Sequence, residues 1–325
     1  MTSRIPLAAI GSAPLAVVAV LVLSHTLTAE PPAADGPAKP KAARTDIYDT
    51  KADARALIAA ATKKAARDNQ RVLIMYGGNW CGWCHKLHDL FRTDKDIART
   101  LLYEYQLVMV DVGRFDKNTD VAKDYGADLK AGVPFLTVLD GAGKVLANQE
   151  TGALEKGDQH DPAKVLAFLK KHQAEPQDAR EVHKAAMARA KSEGKLLFLH
   201  VGAPWCVWCH RLEDYLADEK IAPVIAKAFV DVKIDQDRMK NAEEVIGAIR
   251  KDKQGGIPWF AFIDAGGKPL ITSEGPDGNV GCPVAPAEIA HFEKMLGYAG
   301  GKLSESDVKL LIEELKRRGE ALQRR

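Results

Sequence analysis

Cys81 and Cys84 stand three positions apart in Trp80-Cys81-Gly82-Trp83-Cys84-His85, and Cys206 and Cys209 repeat the spacing in Trp205-Cys206-Val207-Trp208-Cys209-His210. Each motif is entered from an apolar run and followed by a helical pattern, the arrangement a redox dithiol at a helix start requires. The thiolate is the nucleophile, and a helix N-terminus favours it through unpaired N–H groups and about half a positive charge. Cys81 and Cys206 are therefore candidate nucleophiles, with Cys84 and Cys209 one turn along to break the mixed disulfide. His85 and His210 follow four residues after the first cysteines; protonated, they would favour the thiolate, and a solvated histidine is the plainer alternative. Trp80 and Trp205 are placed to wall the site, or simply to pack.

The same residues support other chemistry. Cys-x-x-Cys-His is the attachment signature of c-type haem, and two copies would make a dihaem cytochrome. Against this, haem turns are not expected behind a buried strand. Cys81, Cys84, His85 and His88 suggest zinc or copper, but the second copy offers Glu213 for His88, and one helix cannot easily wrap four ligands; no metal is expected. A purely structural disulfide closing so short a loop would stabilise little.

The positioning elements read as follows. Asp53 precedes Ala54, Leu57, Ala61 and Ala65 at helical spacing, and Val72 to Tyr76 is a buried strand stopped by Gly77-Gly78. After the dithiol, Cys84, Leu87 and Phe91 share a helix face. Asp94 can cap a second helix; Gln106 to Val112 is a strand, Asn118 to Tyr125 a helix, Val133 to Leu139 a third strand, and Val145 to Asn148 a fourth across a turn. Asp161-Pro162 opens a closing helix ending near Lys171. All of this recurs at an offset of 125 residues, then 124 after one deletion, so that Val133-Pro134 matches Ile257-Pro258. A period this long is a domain duplication, joined near Ala174-Glu175-Pro176.

With strand, Trp-Cys-x-x-Cys turn, helix and distant proline in place, each unit resembles a thioredoxin-fold domain. The Trp-Cys-x-Trp-Cys form is most similar to thioredoxin-like proteins of bacterial envelopes. The resemblance implies α/β architecture with two tandem thioredoxin-like domains, each a mixed β-sheet flanked by helices. It implies that Pro134 and Pro258 are cis and pack against the dithiols. It also implies a buried acid six positions before the first cysteine, to move a proton to the second thiol; those positions hold Met75 and His200. The first unit is thus expected to lack that group, while His200 either replaces it or is a buried histidine. Trp83 and Trp208 occupy the position that tunes potential in this family.

The 325 residues carry 46 basic and 44 acidic side chains, well mixed, which speaks against a nucleic-acid surface. Ile5 to Leu23 contains no charged residue, with Arg4 ahead of it, so residues 1–29 are a signal peptide or a membrane anchor, the anchor lying over residues 5–23. Either outcome places the rest outside the cytoplasm, in a periplasm or its equivalent. Residues 30–45 form a Pro/Ala-rich linker, 46–174 and 175–300 the two domains, and 301–325 a C-terminal helix with a Ser304/Asp307 capping box. Cys282 has no counterpart in the first unit and is expected to be buried and inert, or paired with another chain. The function that follows is an extracytoplasmic thiol-disulfide oxidoreductase acting on protein thiols and disulfides, supplied by a membrane or envelope electron donor and needing no organic cofactor. The dihaem cytochrome and a client-binding module with one inactive site stand as alternatives.

Overall fold

The structure, a computed structural model, describes residues 45–251 and 255–324. The expected leader and all of the linker except Thr45 lie outside the described residues. Among the described residues, no helix is long and apolar enough to cross a membrane. Residues Asp46–Arg325 form one compact unit.

The first domain opens with α1 (Ala54–Arg67), whose N-cap Asp53 accepts a hydrogen bond from the Ala56 amide. Its buried face is Ala54, Ile58 and Ala65. Leu57, expected on that face, is 42 % exposed. Ala54, Ala61 and Ala65 keep the expected face, and Ile58 takes the place of Leu57 in the layer over Val72, Ile74 and Val108. Strand β1 (Arg71–Gly77) follows, buried from Val72 onward. Val72, Ile74 and Tyr76 pack on one side of the sheet and Leu73 and Met75 on the other, as expected of a strand covered on both faces. Helix α2 (Gly82–Thr93) carries the first dithiol, and α3 (Lys95–Glu104) starts at Asp94, whose carboxylate accepts from the amides of Asp96 and Ile97. The domain continues through β2 (Tyr105–Asp111), α4 (Thr119–Asp124), β3 (Phe135–Leu139) and β4 (Val145–Glu150). A small hairpin, β5 (Glu155–Lys156) and β6 (Gln159–His160), precedes α5 (Pro162–His172), capped by Asp161 with Pro162 in its first turn.

The second domain repeats this: α6 (Ala179–Ser192), β7 (Leu196–Gly202), α7 (Val207–Leu216), α8 (Ala222–Ala228), β8 (Phe229–Asp235), α9 (Ala242–Ile249), β9 (Trp259–Ile263) and β10 (Pro269–Thr272). The hairpin β11 (Glu274–Gly275) and β12 (Gly278–Asn279) leads into α10 (Pro286–Leu296). The sheet orders are β2-β1-β3-β4 and β8-β7-β9-β10. In each, the strand that leads into the dithiol turn, β1 or β7, runs parallel to one neighbour and antiparallel to the other, which makes both sheets mixed. Both domains are thioredoxin-like in this arrangement.

Helix α11 (Glu305–Gln323) is capped reciprocally by Ser304 and Asp307, and its Leu311, Ile312 and Leu315 join the core beside α7 and α10. The domains are tied by polar contacts, those of Arg238 largely buried and that of Tyr103 exposed. Arg238 donates to the carbonyls of Asp68 at 2.6 Å and Asn69 at 2.8 Å and pairs with the Glu104 carboxylate at 2.7 Å. The Tyr103 hydroxyl donates to Asp237 at 3.0 Å.

Candidate active site: two dithiols at helix starts

Each first cysteine is the N-cap of its helix. Cys81 precedes α2 and Cys206 precedes α7, both in extended backbone, and each sulfur accepts the amide hydrogen of the second cysteine at 3.1 Å. The pairs Cys81–Cys84 and Cys206–Cys209 are disulfide-bonded, and all four side chains are buried, the second cysteine of each pair more deeply. The Val133–Pro134 and Ile257–Pro258 peptides are cis, as the resemblance implies. The carbonyl before each proline faces the first cysteine: Val133 O lies 3.4 Å from Cys81 Sγ and Ile257 O 3.6 Å from Cys206 Sγ. Strand, helix start and proline turn, far apart in the chain, thus meet at the sulfurs in both domains.

The tryptophans form the rim. Trp80 is 43 % and Trp205 52 % exposed; Trp80 donates to Gly113 O, and Trp205 to the Asp237 carboxylate at 2.8 Å. Asp237 therefore joins Trp205 of the second site to Tyr103 of the first domain. Trp83 is flanked by Lys86, 4.3 Å from its ring, and by His160 of β6, while Trp208 has Arg211 at 4.3 Å. Burial lowers the His160 pKa. Nothing in the sequence pattern placed His160 here, since its hairpin is too short to show periodicity.

The histidines turn back toward the loops that precede the motifs. His85 Nε2 is 2.9 Å from Asn79 O, and His210 Nε2 is 2.8 Å from Pro204 O. These contacts brace the turn from behind the first cysteine. In the haem reading these imidazoles would be axial ligands, yet both are engaged with the backbone, and the four cysteines are bonded to one another. His88, proposed with them for a metal, lies beside Asp89. Among the described residues no cluster of His, Cys, Asp or Glu is arranged to hold a metal ion.

The two sites differ behind the second cysteine. Met75 is a fully buried core residue. His200 is also buried, with Nε2 3.3 Å from Asp231. The acid in the second site is Glu213, one helical turn beyond Cys209 and 2 % exposed. A Cβ on Gly202 would lie 3.3 Å from Glu213 Oε1 and 3.5 Å from Cys209 Sγ, so carboxylate and sulfur border the same gap. Lys233 pairs with Oε1 at 2.7 Å, while His210 Nδ1 lies 3.3 Å and Arg67 of the first domain 3.6 Å from Oε2. Burial alone would raise the Glu213 pKa; the His210 hydrogen bond and the Lys233 charge outweigh it and hold the carboxyl down at about 2. The His210 pKa is raised, chiefly by Glu213. From sequence Glu213 is only the residue that stands for His88 in the second copy; its burial behind Cys209, against Lys233 of β8, comes from the fold.

Cys282 is free and buried in the core of the second domain, its thiol pushed up to about 12 by burial.

Residues 58–168 match a family model described as Thioredoxin-like domain, and residues 163–276 match Thioredox_DsbH, described as Protein of unknown function, DUF255. Human spermatogenesis-associated protein 20 is 29 % identical over 93 residues, covering 28 % of this chain and 12 % of that protein. An uncharacterized protein of Caenorhabditis elegans is 26 % identical over 163 residues, covering 49 % of this chain and 20 % of that protein. The chain thus spans a fifth or less of the curated relatives it matches. Among solved structures, a disulphide isomerase from Xylella fastidiosa Temecula1 shares 28 % identity, with a TM-score of 0.36 over 38 % of this chain and 95 % of that one. A DsbH oxidoreductase shares 23 % identity, with a TM-score of 0.26 over 39 % of this chain and 85 % of that one.

Proposed function

From the premise that this chain is a tandem thioredoxin-fold protein, we propose that it is a thiol-disulfide oxidoreductase acting on protein thiols and disulfides through two dithiols. The observation that carries this reading is duplicated: a cysteine at a helix N-cap, bonded to a deeper partner, with a cis-proline turn against it. In the reducing direction Cys81 or Cys206, as thiolate at the positive end of its helix, attacks a substrate disulfide. One substrate sulfur leaves as a thiolate, and a mixed disulfide forms. Cys84 or Cys209 then loses its proton and attacks the first cysteine, which releases the second substrate thiol and restores the disulfide seen in the structure. Pro134 and Pro258, with the carbonyls before them, shape the surface on which an extended substrate lies; Trp80 and Trp205 form its rim, and His85 and His210 hold the turns. His200 supports the second site from the strand beneath.

The boundaries 46–174 and 175–300 are kept for the two domains, with α11 as an extension packed on the second. The apolar stretch over residues 5–23 favours an extracytoplasmic location, by a cleaved signal or a retained anchor, with an envelope electron donor. Insulin reduction tests the activity: Cys81→Ser and Cys206→Ser variants should each lose turnover at one site, and the double variant should be inactive. A double variant as active as the parent would end this reading.

A further inference from the structure

The first site has no carboxylate where Glu213 stands in the second; His88 occupies the matching position. What lies behind Cys84 is Tyr48, from the segment that enters the first domain. Tyr48 is 2 % exposed and packs with Leu73 and Met75. The segment is clamped onto the dithiol turn by Asn79, whose Oδ1 accepts from the amides of Ile47 at 2.9 Å and Tyr48 at 2.8 Å, and whose Nδ2 donates to Tyr48 O at 3.0 Å. This clamp delivers the phenol to the sulfur. A Cβ on Gly77 would meet the Tyr48 hydroxyl and, at 2.6 Å, Cys84 Sγ, so oxygen and sulfur share the gap the glycine leaves. With the disulfide closed, the hydroxyl is buried and has no hydrogen-bond partner among the described residues.

A buried donor without an acceptor is unfavourable, and a disulfide sulfur is a poor acceptor; the reduced Cys84 sulfur accepts better, weakly as the resting thiol and strongly as the thiolate it becomes when it attacks. Reduction of the pair therefore supplies the partner that the hydroxyl lacks. Burial, with the Asp111 carboxylate nearby, raises the phenol's pKa, so it stays a donor.

On the oxidoreductase reading, we propose that Tyr48 sets the potential of the first dithiol: its hydroxyl donates to the Cys84 sulfur in the reduced state and makes the Cys81–Cys84 disulfide easier to reduce. With glutathione as reductant the step balances. Two glutathione thiols supply two electrons and two protons, the Cys81–Cys84 bond breaks, and a glutathione disulfide forms. Of the two protons one stays on Cys84 and the other goes to Cys81 or, where Cys81 is the thiolate, to solvent; Tyr48 keeps its own and contributes a hydrogen bond only.

The test uses the full chain with Cys206→Ser and Cys209→Ser, so that only the first pair reports. The pair is equilibrated in glutathione buffers, and its oxidised fraction is read by alkylation and mass spectrometry. Tyr48→Phe should lower the equilibrium constant for reduction about tenfold, or about 30 mV toward the reducing side. Asn79→Ala, which releases the clamp, should shift it in the same direction, and it decides the matter if Tyr48→Phe does not fold. Constants within twofold of the parent overturn the role of Tyr48 and leave the oxidoreductase reading standing. A parent pair that never equilibrates with glutathione overturns both.

Discussion

Replacing Glu213 by glutamine keeps the shape of the side chain and removes its charge from a site where Lys233, His210 and Arg67 all face it. The carboxyl is held at about 2 against an ordinary 4.5. At about 1.4 kcal/mol per pKa unit, that difference corresponds to roughly 3 kcal/mol of folding stability at neutral pH. A depressed carboxylate pKa stabilises the folded state above pH 4.5 and ceases to do so as pH falls through about 2. The Glu213→Gln deficit should therefore be about 3 kcal/mol at pH 7 and about half that at pH 3, because the parent has by then lost part of the advantage. Carboxylates outside this network, which also includes Asp68 through Lys233 and Arg67, titrate alike in both proteins and cancel in the difference. Guanidinium unfolding of parent and variant at the two pH values measures it. In the variant the His210 titration, followed by NMR, should fall back from its raised position. A deficit equal at pH 7 and pH 3 would refute the reasoning, since it would mean that Glu213 acts by packing and not by charge.

Three further outcomes follow from the geometry. Gly77→Ala should destabilise the first domain by about 1–3 kcal/mol, because its Cβ would strike the Tyr48 hydroxyl and Cys84 sulfur; Gly202→Ala, whose nearest neighbour is 3.2 Å away, should cost clearly less in the same thermal melts. Arg238→Ala removes a buried guanidinium from two carbonyls and the Glu104 carboxylate. It should lower stability by about 3 kcal/mol and expose the inter-domain segment near Pro176 to limited proteolysis. Cys282, with its thiol pushed up to about 12, should resist iodoacetamide at pH 8 in the folded protein and react once the protein is denatured.

Much of this molecule was legible in the chain because duplication writes the same signal twice. Asp53 and Asp178, the apolar runs at Val72 and Leu196, the four cysteines and the two prolines mark equivalent places in two sheets of the same order. Capping residues set helix starts at Asp94, Asp161 and Ser304 because their side chains satisfy amides within a few residues, an effect that needs no tertiary context. Leu57 misled because two adjacent apolar residues, Leu57 and Ile58, leave the helix phase ambiguous until the sheet selects one. Tyr48 and Glu213 were hidden for another reason. Tyr48 meets its sulfur across Gly77, a meeting of three segments that no local pattern records, whereas Glu213 shares a helix with Cys209 and only its burial against Gly202 and Lys233 comes from the tertiary fold. Arg238 and Asp237 likewise acquire their roles from the other domain.

The most direct measurement is trapping. In Cys84→Ser and Cys209→Ser variants, incubated separately with a disulfide-bonded protein such as reporter insulin, the resolving thiol is gone and the mixed disulfide should persist. Mass spectrometry should place the adduct on Cys81 in the first variant and on Cys206 in the second, the cysteines that cap helices α2 and α7. Folded variants that form no adduct at either cysteine would contradict a thiol-disulfide exchange function.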